Sequence, residues 1–343
     1  MTTPLRIGIV GLGGICRTRH VPGFRKVPGV EIVAVANRTR ASSETAATEF
    51  RIPNVADTWQ DLVTRGDVDV VVIGTWPYMH KPVTIAALDG GKHVFCQARM
   101  AMDYAEAKVM HDHAKARGKI AGLCPVPFGL KYDGALVRML REGALGDVRL
   151  VRVQSFANAY VSDDAPMNWR KDHRLSGLNM HTLGMYIEVM HRWFGWTSRV
   201  SARTDIFVRE RVDAAGDRVA VQIPDQVLAN TVVGDGVPVH YAISAAVHKG
   251  DDRIEIYGER GTVRYDVLPD AMYFAEGDRE FAPVEVRTDE YYDVTEWRVE
   301  RDFIDAVRGG RAYRPDFFDG MKYMQVIEAV YDAARTRREI AIA

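Results

Sequence analysis

Cysteine is scarce in this chain, with three thiols among 343 residues, at Cys16, Cys96 and Cys124. None belongs to a CxxC pair, so neither a disulfide framework nor a thiolate metal cage organises the fold. Neither sign of charge is in excess, with 45 Lys and Arg against 46 Asp and Glu. That balance excludes the electrostatic footprint of a nucleic-acid or anionic-membrane binder, and neither partner is expected. Long apolar runs are missing too. The run Val68–Ile73, broken by Asp69, falls far short of the ~20 residues that span a bilayer. The opening MTTPLRIGIVG enters a strand directly and lacks the three regions of a secretory signal, so a cytoplasmic protein is expected. No repeat, low-complexity segment, HExxH or GxSxG pattern is present. His111 and His113 stand two apart on a helical stretch and point to different faces, and no metal is expected.

What is present is ordinary globular material, 47% apolar and 27% charged. The first third alternates short, β-branched runs with amphipathic stretches. Arg6–Val10, Glu31–Ala36, Val68–Ile73, His93–Cys96 and Lys119–Leu123 read as strands buried on both faces. Ala41–Phe50, Pro82–Leu88 and Tyr104–Arg117 read as helices, the last two ending at glycine. That alternation predicts a doubly wound α/β domain over residues 1–124. From Val148 the strands lengthen, and glycine turns at Gly234–Gly236 and Gly258–Gly261 separate them. Residues 125–343 therefore predict an α+β domain with a large, mostly antiparallel open sheet. One helix, Asn179–Phe194, is inserted early, and Glu300–Val307 and Phe318–Thr336 follow near the end. The charged stretch Glu276–Glu296 reads as a surface loop or edge.

The first strand runs into Gly11-Leu12-Gly13-Gly14-Ile15-Cys16. A lone GxGxxG is weak evidence, but this one follows a strand, opens a helix and is followed by a second strand. Gly11 permits the tight turn, and Gly13 with Gly14 and Ile15 lets backbone approach a pyrophosphate. Cys16 stands at the third glycine position, where a small side chain suffices for helix–sheet packing. The second strand ends in Asn37-Arg38-Thr39-Arg40. No carboxylate is there to hold a ribose 2′-hydroxyl, and a guanidinium suits a 2′-phosphate, so NADP is favoured over NAD.

Several stretches then match one family in order. They are Gly-Leu-Gly-Gly-Ile at 11–15, Gly74-Thr75-Trp76-Pro77 with His80, Gly91-Lys92-His93-Val94 and Leu145-Gly146-Asp147-Val148. Trp169-Arg170, Ile254–Gly258 and the late helix carrying Arg335 complete the set. The chain resembles the Gfo/Idh/MocA oxidoreductases over essentially its whole length. The resemblance implies an N-terminal Rossmann dinucleotide-binding domain and a C-terminal sheet used for homo-oligomerisation. It implies a nicotinamide cofactor touching Thr75, Trp76, His80 and Gln97, and a sugar-, cyclitol- or polyol-like substrate lying between the domains.

Two family motifs depart from pattern. Glu-Lys-Pro is expected after HVFC, yet the residues are Gln97-Ala98-Arg99, with Ala98 at the lysine position. Alanine neither transfers a proton nor donates a side-chain hydrogen bond. The family's Asp-x-Gly-x-His helix motif, anchored on Gly184, places Thr182 at the aspartate and Tyr186 at the histidine; a shift of one places His181 and Met185 there. Acid–base work is therefore expected of Tyr186 and His181, with Arg99 as a displaced cation that lowers the phenol's pKa. The plainer readings are a core tyrosine, a locally bonded histidine and a surface arginine. Asn179, Lys171, His173 and Trp76 are the expected substrate contacts, although loop residues such as Lys171 and His173 are more often solvated. An oxidoreductase acting on a CH–OH group is the leading expectation. The alternatives are a cofactor-retaining enzyme that cleaves a glycosidic or ether bond by transient oxidation, and a non-catalytic nucleotide- or sugar-binding regulator.

Overall fold

The computed structural model describes residues 4–124, 131–286 and 297–342. The chain divides into two compact units, residues 1–125 with 297–321, and 126–296 with 322–343. No helix among the described residues is long and apolar enough to cross a membrane.

The first unit is built on six strands, β1 (Leu5–Val10), β2 (Val30–Ala36), β3 (Asn54–Val55), β4 (Val70–Ile73), β5 (His93–Cys96) and β6 (Ala121–Leu123). They pair in the order β3-β2-β1-β4-β5-β6, and every pair is parallel. β4 reads VVVI with all four side chains buried, because helices cover both faces. Local chemistry sets the helix ends. Thr39 caps the helix Arg40–Glu49 by accepting from the Ser42 amide. Asp103 caps Tyr104–Arg117, and Gly118, in the left-handed region at φ +60°, ends it.

The segment from Trp297 to Met321 belongs to this unit, not to the second as the division at 124/125 expects. Phe303 stacks edge-on against Phe95 and Tyr313, at 5.1 and 5.5 Å between centroids. The Tyr313 hydroxyl donates to the Leu123 carbonyl at 2.7 Å. A side chain at Gly122 would meet the Tyr313 ring at 2.6 Å, so glycine in β6 is what lets this return segment dock. The expected boundary itself runs into residues 125–130, which lie outside the described ones.

The second unit holds β7 (Val148–Phe156), β8 (Thr197–Asp205), β9 (Glu210–Val212), β10 (Arg218–Ala220), β11 (Gln226–Val233), β12 (Val237–Ser244), β13 (Asp252–Gly258), β14 (Gly261–Asp266), β15 (Ala271–Glu276), β16 (Ala282–Pro283) and β17 (Ile340–Ala341). Nine of them form one sheet in the order β16-β15-β14-β13-β7-β12-β11-β8-β17, and β9 with β10 makes a separate hairpin. Only β7 and β12 pair in parallel within the large sheet. Burial alternates along β11, as on a sheet with one packed face. The edge expected over Glu276–Glu296 is β16 in part; residues 287–296 lie outside the described ones.

Candidate functional site

The residues expected to hold the dinucleotide lie at the carboxyl ends of β1, β2, β4 and β5. Gly11 adopts φ +83°, and a side chain there would strike Thr75 at 2.6 Å. Above the turn the space is open: a Cβ on Gly14 would meet nothing within 4 Å, and one on Gly13 only the Gly74 carbonyl at 3.8 Å. The chain is helical from Gly14 to Arg25 with Ile15 in the first turn, and a π-turn occupies Cys16–His20. Cys16 is fully buried against Gly74, and burial pushes its thiol up to about 12. It is a packing residue, as its place in the motif expects. The Thr75 hydroxyl oxygen is buried without a hydrogen-bond partner. An open glycine turn at a helix start, beside an unsatisfied hydroxyl, fits a dinucleotide.

At the end of β2, Asn37 is consumed by the fold. Its Oδ1 accepts from the Leu12 amide at 2.7 Å, and its Nδ2 donates to the Ser42 carbonyl at 3.0 Å. Asn37 thus pins the glycine turn to the second strand, and its contribution is to hold backbone in place. Arg38 is exposed, with its guanidinium carbon 6.0 Å from the centre of the Trp76 ring. Arg40 is tied to Glu44 and Asp57.

His80 is fully buried. Its Nδ1 faces the carbonyls of Arg99 and Met100 at 2.9 and 3.1 Å, and its Nε2 faces that of Thr75 at 3.1 Å. Burial lowers its pKa, against the pull of those carbonyls. The imidazole therefore clamps the loop after β4 to the turn after β5. Gln97 turns its amide onto His20, a residue that nothing in the local sequence marks. Arg99 and Ala98 occupy the same turn and are half-buried.

The second unit gathers the remaining candidates differently from expectation. The helix expected over Asn179–Phe194 begins only at Leu183, so His181 precedes it. His181 adopts φ +53°, rare for a residue with a side chain. Its amide donates to Asn179 Oδ1 at 2.9 Å, and its Nε2 faces the Pro224 carbonyl, also at 2.9 Å. Asn179 is buried, its Nδ2 donating to the Arg170 carbonyl at 3.2 Å. Its side chain shapes this turn and does not face solvent.

Lys171 shares the Pro224 carbonyl, donating to it at 2.9 Å and to Asp225 Oδ1 at 2.5 Å. Both members of that ion pair are fully buried. Lys171 is therefore not the solvated loop residue expected, and burial lowers its pKa despite the Asp225 carboxylate. His173 lies apart, exposed at the start of the short helix His173–Ser176.

Tyr186 corrects the expectation most directly. Only 1% of it is exposed, and its hydroxyl donates to Asp252 Oδ2 at 2.9 Å. Burial first, and then the Asp252 charge, raise the phenol's pKa, whereas a proton relay needs it lowered. Gly184, the anchor of the helix motif, leaves room for Tyr323 of its own unit, 3.4 Å from where a Cβ would stand.

A parallel sheet in this strand order, with a glycine turn closing its first strand and an unsatisfied hydroxyl beside it, defines a dinucleotide-binding Rossmann domain. The chain belongs to the Gfo/Idh/MocA family. Residues 5–123 match the family model described as an oxidoreductase family, NAD-binding Rossmann fold, and residues 135–264 match the GFO/IDH/MocA C-terminal domain. The chain is 24% identical to the levoglucosan dehydrogenase of Pseudarthrobacter phenanthrenivorans, over 96% of each protein. It is 26% identical to the inositol 2-dehydrogenase of Gluconacetobacter diazotrophicus, over 97% of this chain and 95% of that one. The fold matches a solved levoglucosan dehydrogenase in complex with NADH at a TM-score of 0.89 and 20% identity, covering 99% of this chain and 100% of the other.

Proposed function

We propose that this chain is an NADP-preferring dehydrogenase of a CH–OH group on a sugar- or cyclitol-like polyol. The end of β2 carries the cofactor preference. Asn37 is neutral and bonded to Leu12, and Arg38 is exposed beside Trp76. A ribose 2′-hydroxyl finds no carboxylate there, whereas a 2′-phosphate finds a guanidinium. The substrate class rests on relatives named for levoglucosan and inositol, which align with nearly the whole chain.

The bound nicotinamide supplies the hydride acceptor. The hydroxyl proton must go to a group of the chain, and Ala98 offers none. His181 is the best-supported acceptor. A carbonyl only accepts, so Pro224 holds a ring proton on Nε2 and fixes the orientation of the imidazole. The left-handed backbone at His181 is a local strain of a kind that concentrates at functional sites. Arg99, in the turn after β5, supplies a positive charge to polarise the hydroxyl. The second unit's sheet is the surface through which we expect copies to assemble, which light scattering after gel filtration tests.

The deciding experiment incubates the protein with NADP⁺ or NAD⁺ and a panel of polyols, cyclitols, glycosides and aldehydes, and follows the reduced nicotinamide. Turnover with NADP⁺ ahead of NAD⁺ is expected, and His181→Ala lowers kcat by about 10²–10⁴. No reduction with any member of the panel sinks the reading.

A further inference from the structure

Behind the turn that departs from its family runs a buried chain of polar groups. His20 and Glu300 are 0% and 1% exposed and lie 280 positions apart in sequence. His20 Nδ1 lies 2.5 Å from Glu300 Oε1, and the Trp297 indole donates to Glu300 Oε2 at 2.7 Å. On the other side of the ring, Nε2 meets the Gln97 amide nitrogen. The carboxylate has room because residue 23 is glycine: a Cβ there would stand 2.3 Å from Glu300 Oε2. Phe24 and Phe95 flank the imidazole, at 6.5 and 5.1 Å between centroids. His20 itself closes the π-turn Cys16–His20, a rare local form found often at functional sites.

Donor and acceptor rules fix the protons. A carboxylate only accepts, so Nδ1 carries a proton. An amide NH2 only donates, so Nε2 is the acceptor, and the carbonyl oxygen of Gln97 is turned away from the ring. We infer that Glu300 and His20 are positioning residues that hold the Gln97 amide in this single orientation, making its oxygen the fixed acceptor of the turn beside Ala98 at the dinucleotide site. The arrangement also gives a reason for glutamine where the family has glutamate. A carboxylate at 97 would face Nε2, demand a second ring proton and leave a charged imidazole between two acids.

The test is made on the whole chain. Nitrogen NMR of histidine-labelled protein, with the His20 signal identified by its loss in His20→Gln, reads the ring directly. A proton on Nδ1 and a bare Nε2 are expected in the wild type, with protons on both nitrogens in Gln97→Glu. A proton on Nε2 in the wild type overturns the inference. Titration with NADPH and with NADH, followed by protein fluorescence, supplies the second readout. Gln97→Met and Glu300→Gln are each expected to weaken binding about 3- to 10-fold, the worth of one oriented hydrogen bond. The double variant is expected to be no worse than the weaker single, because both act through one amide. Losses that multiply, or a Glu300→Gln variant that binds like the wild type, overturn the assignment.

Discussion

Tyr186 gives its hydroxyl hydrogen to Asp252 across 2.9 Å, the phenol buried and the carboxylate half-buried at the sheet. Ser155 also bonds the Asp252 carboxyl, whose pKa burial raises. Thr182 in turn donates to Ser155 at 2.8 Å. The four side chains therefore anchor the helix Leu183–Phe194 to the sheet. Tyr186→Phe should leave Asp252 short of a donor and lower the unfolding free energy by about 1–3 kcal/mol. NADPH affinity should stay within about twofold, since a change of 0.4 kcal/mol or less lies inside the noise of such substitutions. Urea unfolding and a fluorescence titration check the two halves. A variant of unchanged stability that had lost turnover on a found substrate would return Tyr186 to the chemistry.

The parallel sheet was legible because its strands are short, β-branched runs such as VVVI, buried on both faces, that alternate with helical patterns. β7, Val148–Phe156, was legible for a different reason, an unbroken stretch bounded by a glycine turn. The start of the site helix was not. Asn179–Thr182 carry helical spacing, but the Asn179 side chain captures the His181 amide and turns the backbone left-handed. Long-range pairs were equally hidden. Glu300 reads locally as one charge among several on an amphipathic helix, and Lys171 as a polar loop residue 54 positions from Asp225. Each becomes a buried partner only when the topology closes.

Arg38 gives the cofactor proposal a sharp handle. A guanidinium–phosphate hydrogen bond contributes about 1.5–3 kcal/mol. Arg38→Ser should therefore weaken NADPH binding about 10- to 100-fold while NADH binding changes little. Equal losses for both dinucleotides would mean that Arg38 supports the β2 end and does not read the 2′ position. No loss for either would remove the argument for NADP.

The Lys171–Asp225 pair has all the features that make one-sided removal damaging. Both side chains are fully buried, and Asp225 Oδ2 also accepts from the Phe207 amide at 2.7 Å. Lys171→Met strands a carboxylate, so a loss of about 3–5 kcal/mol is expected. Lys171→Met with Asp225→Asn together should recover part of it, because no bare charge remains. Urea midpoints at constant m-value measure the cycle. A double variant no more stable than Lys171→Met would show that the lysine acts through its contact with the Tyr160 ring, whose centre lies 4.4 Å from Nζ, and not through its pairing with Asp225.

His191 predicts the acid limb of stability. Its Nε2 lies 2.9 Å from the Thr197 hydroxyl, its Nδ1 is buried without a partner, and burial lowers its pKa from 6.5 to about 3, with the Lys322 charge adding to the effect. Between those values the unfolded chain binds a proton that the folded chain refuses. Stability from this group is therefore intact above about pH 6.5 and falls as the pH drops from there toward 3, by at most about 1.4 kcal/mol per pH unit. His191→Gln keeps a polar side chain without a titrating ring, so its unfolding free energy should fall less steeply between about pH 6 and 5. The difference in slope between the two proteins isolates His191 from the carboxylates common to both. Parallel slopes would show that the imidazole takes up its proton in the folded state as readily as in the unfolded chain.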